Sequence, residues 1–195
     1  MKKTVFLMSL LVGFTFSAVT KAADNATLTF SANITQGTCD ISFPVGTTSA
    51  NAIDIGSVDP AVLIGQTDKT TSAREFTVRA ACKGVAGTGT PGIKLTGSPM
   101  TGGAAKLFRD TTGTNSAGFG IAVAQGTGTS IVWTNLKGNG DFLTFTNFDH
   151  GGASEHNNDI AMQAAVACGG ATECAAANLK TGTLKAAVTF AFAYH

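Results

Sequence analysis

The chain has 195 residues, with 13 Lys and Arg against 12 Asp and Glu for a net charge of +1, and charged residues make up only 13% of it. That balance leaves no basic patch for a nucleic acid to bind, and no segment reads as a long charged helix. Abundant Gly, Thr and Ala, in short alternating segments separated by Gly, Asn and Asp, point instead to an antiparallel β-sandwich or barrel.

Residues 1–22 read as a secretory signal rather than as part of the fold. Lys2 and Lys3 form a basic start, residues 4–20 carry no charge, and Thr20, Lys21 and Ala22 precede the expected cleavage site. Ser9, Thr15 and Ser17 argue against a membrane span. Removing Lys2, Lys3 and Lys21 takes the net charge from +1 to about −2. The remainder is of single-domain size.

Residues 26–34 come next and alternate without a break. Ala26, Leu28, Phe30, Ala32 and Ile34 point one way; Thr27, Thr29, Ser31 and Asn33 point the other. A period of two is a half-buried β-strand. Its apolar face needs a receiver, in this molecule or in a neighbour.

A second strand is expected where Cys39, Ile41 and Phe43 share a face, bent at Gly37 and ended by Pro44. Residues 45–73 are weaker, with short apolar elements at 53–55 and 61–64. Residues 74–82 alternate cleanly, with Phe76, Val78, Ala80 and Cys82 inward. Short strands follow at 93–96 and 119–123. Residues 131–134 and 142–145 flank Gly138-Asn139-Gly140-Asp141, which predicts a hairpin. Residues 149–159 read as a polar loop. Residues 160–168 have helical Ala content, but Ile160, Met162, Ala164, Val166 and Cys168 fit a strand face. The final stretch places Val188, Phe190, Phe192 and Tyr194 on one face, and is the strongest strand in the chain.

Four cysteines in an exported chain imply two disulfides with three possible pairings. Joining Cys39 to Cys82 and Cys168 to Cys174 closes one long and one short loop. The chain-entropy argument gives about 4 kcal/mol for the first and about 2 kcal/mol for the second. Neither pair has the spacing of a redox-active dithiol.

Together these residues resemble the pilin subunits of chaperone–usher fimbriae of Gram-negative bacteria. The likeness rests on the Leu28-x-Phe30-x-Ala32-x-Ile34 arm ahead of Cys39 and on Cys82 closing an alternating strand. It rests also on the Gly118-Phe119-Gly120-Ile121 segment, on residues 160–164, and on the apolar final strand with its penultimate Tyr194. The resemblance implies an incomplete immunoglobulin-like β-sandwich, the pilin fold, lacking its last strand. It divides the chain into a signal peptide (1–22), an N-terminal donor-strand extension (23–37) and a pilin domain (38–195). Leu28, Phe30, Ala32 and Ile34 would enter the groove of a neighbouring subunit. Val188, Phe190, Phe192 and Tyr194 would form the groove-edge strand that first meets a periplasmic chaperone, with the His195 carboxylate as its anchor. An outer-membrane usher would oversee the exchange, and the product would be a cell-surface fimbrium that supports adhesion. One departure stands out: the family usually carries glycine where this chain has Ala32.

The rival reading is a monomeric secreted binding module, lectin-like or adhesive. A secreted hydrolase is a third, but no nucleophile elbow, zinc-binding helix or phosphate loop occurs. No catalytic residue and no cofactor are expected. Asp149, His150, Glu155, His156 and Asp159 are metal-compatible residue types, yet their spacing matches no metal motif, and no metal is expected.

Overall fold

The computed structural model describes residues 31–32, 36–48, 51–101 and 106–195. It divides into two units, Met1–Ile34 and Thr35–His195. Of the first, only Ser31 and Ala32 are described, both exposed. The donor arm predicted at 26–34 and the signal at 1–22 otherwise lie outside the described residues.

Among its described residues the second unit holds eight strands: β1 (Thr38–Val45), β2 (Thr70–Gly84), β3 (Pro91–Gly97), β4 (Leu107–Phe108), β5 (Gly120–Gln125), β6 (Phe142–Thr144), β7 (Gly152–Ala167) and β8 (Val188–Tyr194). They form a five-stranded sheet ordered β1-β2-β7-β5-β4 and a three-stranded sheet ordered β6-β3-β8. Every pairing is antiparallel. Among the described residues the only helical segments are three short 3-10 turns, at Pro60–Leu63, Trp133–Asn135 and Ala176–Asn178.

The spine is the β2–β7 pair, which runs from Thr70 opposite Ala167 to Gly84 opposite Gly152. Alternation decides its burial. Phe76, Val78, Ala80 and Cys82 are buried, Glu75 is exposed, and Thr77 and Arg79 are half-buried. From β7, Ile160, Met162 and Ala164 join them. The three-stranded sheet closes over this face with Ile93 and Leu95 of β3 and Leu143 of β6, each with no exposed surface. The second half of β7 is covered on both faces: Met162 and Ala164 lie in the main core, Ala165 and Ala167 pack with Met100, Leu107, Ile131 and Leu136 on the other side, and Gln163 is buried as well. The Gln163 amide is satisfied by donating to the carbonyls of Gly128 and Ser130 at 2.5 and 3.2 Å.

Three expectations need correction. β1 does not stop at Pro44 but continues to Val45, gaining one residue on β2 between Ser42 and Val45. This is a β-bulge, and a proline is tolerated there because β1 is an edge strand with no outer partner among the described residues to receive an N–H. The polar loop expected at 149–159 is instead largely strand, since β7 begins at Gly152. His156 sits opposite Cys82 and Asn157 opposite Ala81; ladder hydrogen bonds are made by the backbone, so polar side chains there do not prevent pairing. The hairpin around Gly138–Asp141 does not form either. The turn is present, with Asp141 N–H donating to Gly138 O at 3.2 Å and the Asp141 carboxylate accepting from Gly138 N–H at 2.8 Å. Its flanks part, however: β6 pairs with β3, and Trp133–Asn135 coils into a 3-10 turn. β3 offers the Ile93–Leu143 contact inside the core, which the half-exposed Trp133 segment cannot match.

Candidate functional site: a groove beside the C-terminal strand

β8 pairs along its whole length with β3, from Val188 opposite Gly97 to Tyr194 opposite Pro91. Among the described residues no strand pairs with its other edge. The consequence shows in burial. Val188, Phe190, Phe192 and Tyr194 all share the inward face, yet each is only half-buried, while Thr189 and Ala191 are exposed. The matching face of β7, by contrast, is buried at Ile160, Met162 and Ala164.

Beside that edge runs a groove of about 990 Å³. Its floor is Phe76 of β2, Ile121 and Val123 of β5, and Ala164 and Val166 of β7. One wall is residues 181–187 continuing into Val188 and Phe190; the other is Phe43 of β1 and the irregular segment 51–58. Phe43, Phe76 and Phe190 bring β1, β2 and β8 together, with Phe190 edge-on to Phe43 at 5.4 Å and to Phe76 at 6.1 Å between ring centroids.

Beyond Phe190, β8 ends in a second aromatic group. Phe192 stacks on Phe148 at 5.7 Å and meets Tyr194 edge-on at 5.1 Å. The Tyr194 hydroxyl lies 3.5 Å from His150 Nδ1. His195 is fixed by reciprocal backbone hydrogen bonds with Thr90, at 2.9 and 3.0 Å, and its ring stacks on Phe142 at 3.9 Å. The C-terminal end of β8 is therefore held at both its backbone and its side chains.

Sulfur bonds join Cys39 to Cys82, across β1 and β2, and Cys168 to Cys174, just after β7. Of the metal-compatible side chains at 149–159, Asp159 is engaged by Arg79 through two hydrogen bonds of 2.7 Å. That guanidinium, by hydrogen bond and then by charge, holds the Asp159 carboxyl below the usual carboxylate range. His156 Nδ1 lies 3.5 Å from Asp149. Among the described residues no three His, Cys, Asp or Glu side chains come together as a metal site.

Sequence reasoning missed most of the second groove wall. The alternating Ile53-Asp54-Ile55 was the available signal, and only its apolar character was legible. It missed Ser116 as well, a 5% exposed residue at the groove's end whose hydroxyl has no hydrogen-bond partner.

An all-β sandwich of two antiparallel sheets, with a long apolar strand left open at one edge, is the pilin fold. Its neighbours among solved structures are chaperone–usher pilus proteins. A chaperone–usher pilus subunit aligns with 91% of this chain and 100% of its own at 19% identity and TM-score 0.51. The CupB6 tip adhesin from Pseudomonas aeruginosa aligns with 82% of this chain and 38% of its own, at 20% identity and TM-score 0.52. The P pilus rod subunit PapA aligns with 88% of this chain and 100% of its own, at 20% identity and TM-score 0.49. No family model matches the chain, and no curated protein matches it.

Proposed function

We propose that this chain is a structural subunit of a chaperone–usher fimbria, polymerised by donor-strand exchange. The observation that carries the reading is the open edge of β8: its inward residues are all half-buried, and Val188 and Phe190 among them face a groove floored by apolar side chains. A long apolar edge strand invites pairing and aggregates unless covered. Strand addition meets both needs, supplying main-chain hydrogen bonds and side-chain pockets.

The occupant we infer is residues 26–34 of another copy. Leu28, Phe30, Ala32 and Ile34 have the period-two spacing that such a groove reads. Burying Leu28, Phe30 and Ile34 contributes about 1.5–3 kcal/mol each, and a slip of one residue turns all of them to solvent. Donor and acceptor surfaces differ, so the contact is head-to-tail and generates a filament. In this reading residues 1–22 direct export, a periplasmic chaperone covers β8 until an outer-membrane usher replaces it with the next arm, and the polymer stands on the cell surface.

The test is deletion of residues 26–34. The shortened chain is expected to remain monomeric, and to gain melting temperature when a peptide spanning residues 24–36 is added. Filaments from the shortened chain, seen by electron microscopy, would sink the proposal.

A further inference from the structure

The second disulfide lies directly behind one end of the groove. Cys168 and Cys174 are 0% and 1% exposed and pack with the fully buried Leu63. The same cluster contains Ile55, Val58, Phe119, Ile121, Val166 and Leu184, and all six also line the groove. The bridge therefore touches the back of a surface whose front faces the inserted strand. Backbone hydrogen bonds tie the two sides together: Gly65 N–H donates to Cys174 O at 2.9 Å, and Asp68 N–H to Gly169 O at 3.1 Å. The link continues to the wall through the Pro60–Leu63 turn, where Asp59 accepts from Ala61 N–H at 2.9 Å and Pro60 itself lines the groove.

This matters because the wall at 51–58 contains no regular strand or helix. Irregular backbone has no ladder to hold it at a fixed distance from the floor, so its position depends on what it packs against. At the opposite end, Phe43 is fixed by β1 and by the Cys39–Cys82 bond. At this end the packing against Leu63 and the Cys168–Cys174 bridge does that work.

We propose that the Cys168–Cys174 bridge is a positioning element for strand binding: it braces the groove end lined by Ile55, Val58, Phe119 and Leu184 so that this end accepts a terminal apolar side chain of the entering arm. The inference rests on the strand-donation reading above and deepens it, by assigning the bridge to partner selection rather than to closing the 169–173 loop alone. The arm offers an apolar residue near each extremity, Leu28 and Ile34, and Phe30 between them. The direction of entry decides which extremity meets the brace.

The experiment is a thermodynamic cycle. The exported chain and its Cys168→Ala/Cys174→Ala variant are refolded with excess peptide 24–36, either unaltered or carrying Leu28→Ala, Phe30→Ala or Ile34→Ala, and affinities are measured. Each protein keeps the same arm of its own, so competition from it cancels in the ratios. Loss of the bridge is expected to weaken the unaltered peptide about tenfold. It is expected to remove most of the penalty for one extremity, Leu28→Ala or Ile34→Ala, while leaving the Phe30→Ala penalty in place. Equal affinity with and without the bridge, or equal weakening of all four peptides, overturns the brace. Failure of the unaltered chain to bind the unaltered peptide overturns the strand-donation reading itself. Should the bridge-less variant not fold, Leu63→Ala, which keeps the bridge closed, is read by the same criteria.

Discussion

β7 and β8 carry the same apolar period-two signal and meet different fates. β7 has β2 on one side and β5 on the other, and Met162, Ala165 and Ala167 along it have no exposed surface. Among the described residues β8 has β3 on one side alone, and its four inward residues stop at half-burial. The difference lies in neighbours rather than in composition. A strand's side chains state which face is to be buried, whereas what packs over and beside that face determines whether burial is complete. In this molecule the shortfall runs along one edge, and the apolar groove lies beside it.

The comparison can be broken or sharpened by substitution. The largest expected effect is on the completed side: Cys39→Ala with Cys82→Ala, which unties β1 from β2, is expected to cost about 4 kcal/mol in denaturant unfolding. Met162→Ala, in the middle of β7, is expected to cost about 3 kcal/mol, with the same loss whether or not peptide 24–36 is bound. Phe190→Ala, its counterpart on β8, is expected to cost only about 1–2 kcal/mol in the chain alone, because the ring is half-covered. Its cost should grow when the peptide is bound. An equal cost in both states, by the same unfolding measurement, would place β8 on a par with β7 and remove the contrast.

The smallest effect concerns the Arg79–Asp159 pair on the exposed surface of the β2–β7 spine. Hydrogen bonding to Arg79, then its charge, lowers the folded-state pKa of Asp159. A carboxyl with a depressed folded pKa contributes stability above its unfolded pKa and loses it as pH falls through the folded one, so the contribution present at neutral pH fades below about pH 4. Asp159→Asn should flatten that part of the stability–pH curve. Because the side chains are 32% and 44% exposed, salt should shrink the difference further.

Much of this architecture could be read from the chain before its fold was known, and the failures have physical reasons. Phe76 through Cys82, the run from Ile160 to Cys168, and Val188 through Tyr194 declare their strands because one face of each meets the core. The first half of β7 was illegible because its ladder is made by the backbone, which leaves no apolar alternation to mark it. Pro44 misled because a proline's effect depends on whether its strand has an outer neighbour, a tertiary fact. Residues 142–144 had two possible partners, and the sequence cannot weigh the local turn against the buried contact with Ile93. The groove was legible on its β8 side, from period two, and nearly invisible on the 51–58 side, where packing without periodicity forms the wall.

Pro44 has one more consequence. Of the four outermost strands, β1 carries a proline and a bulge, β4 has two residues and β6 three, whereas β8 offers seven. In the strand-donation reading proposed above, a building block with one such socket and one donated arm has a valence of two. Such units would string together without branching, and anything that shelters a newly made copy would have a single strip to guard.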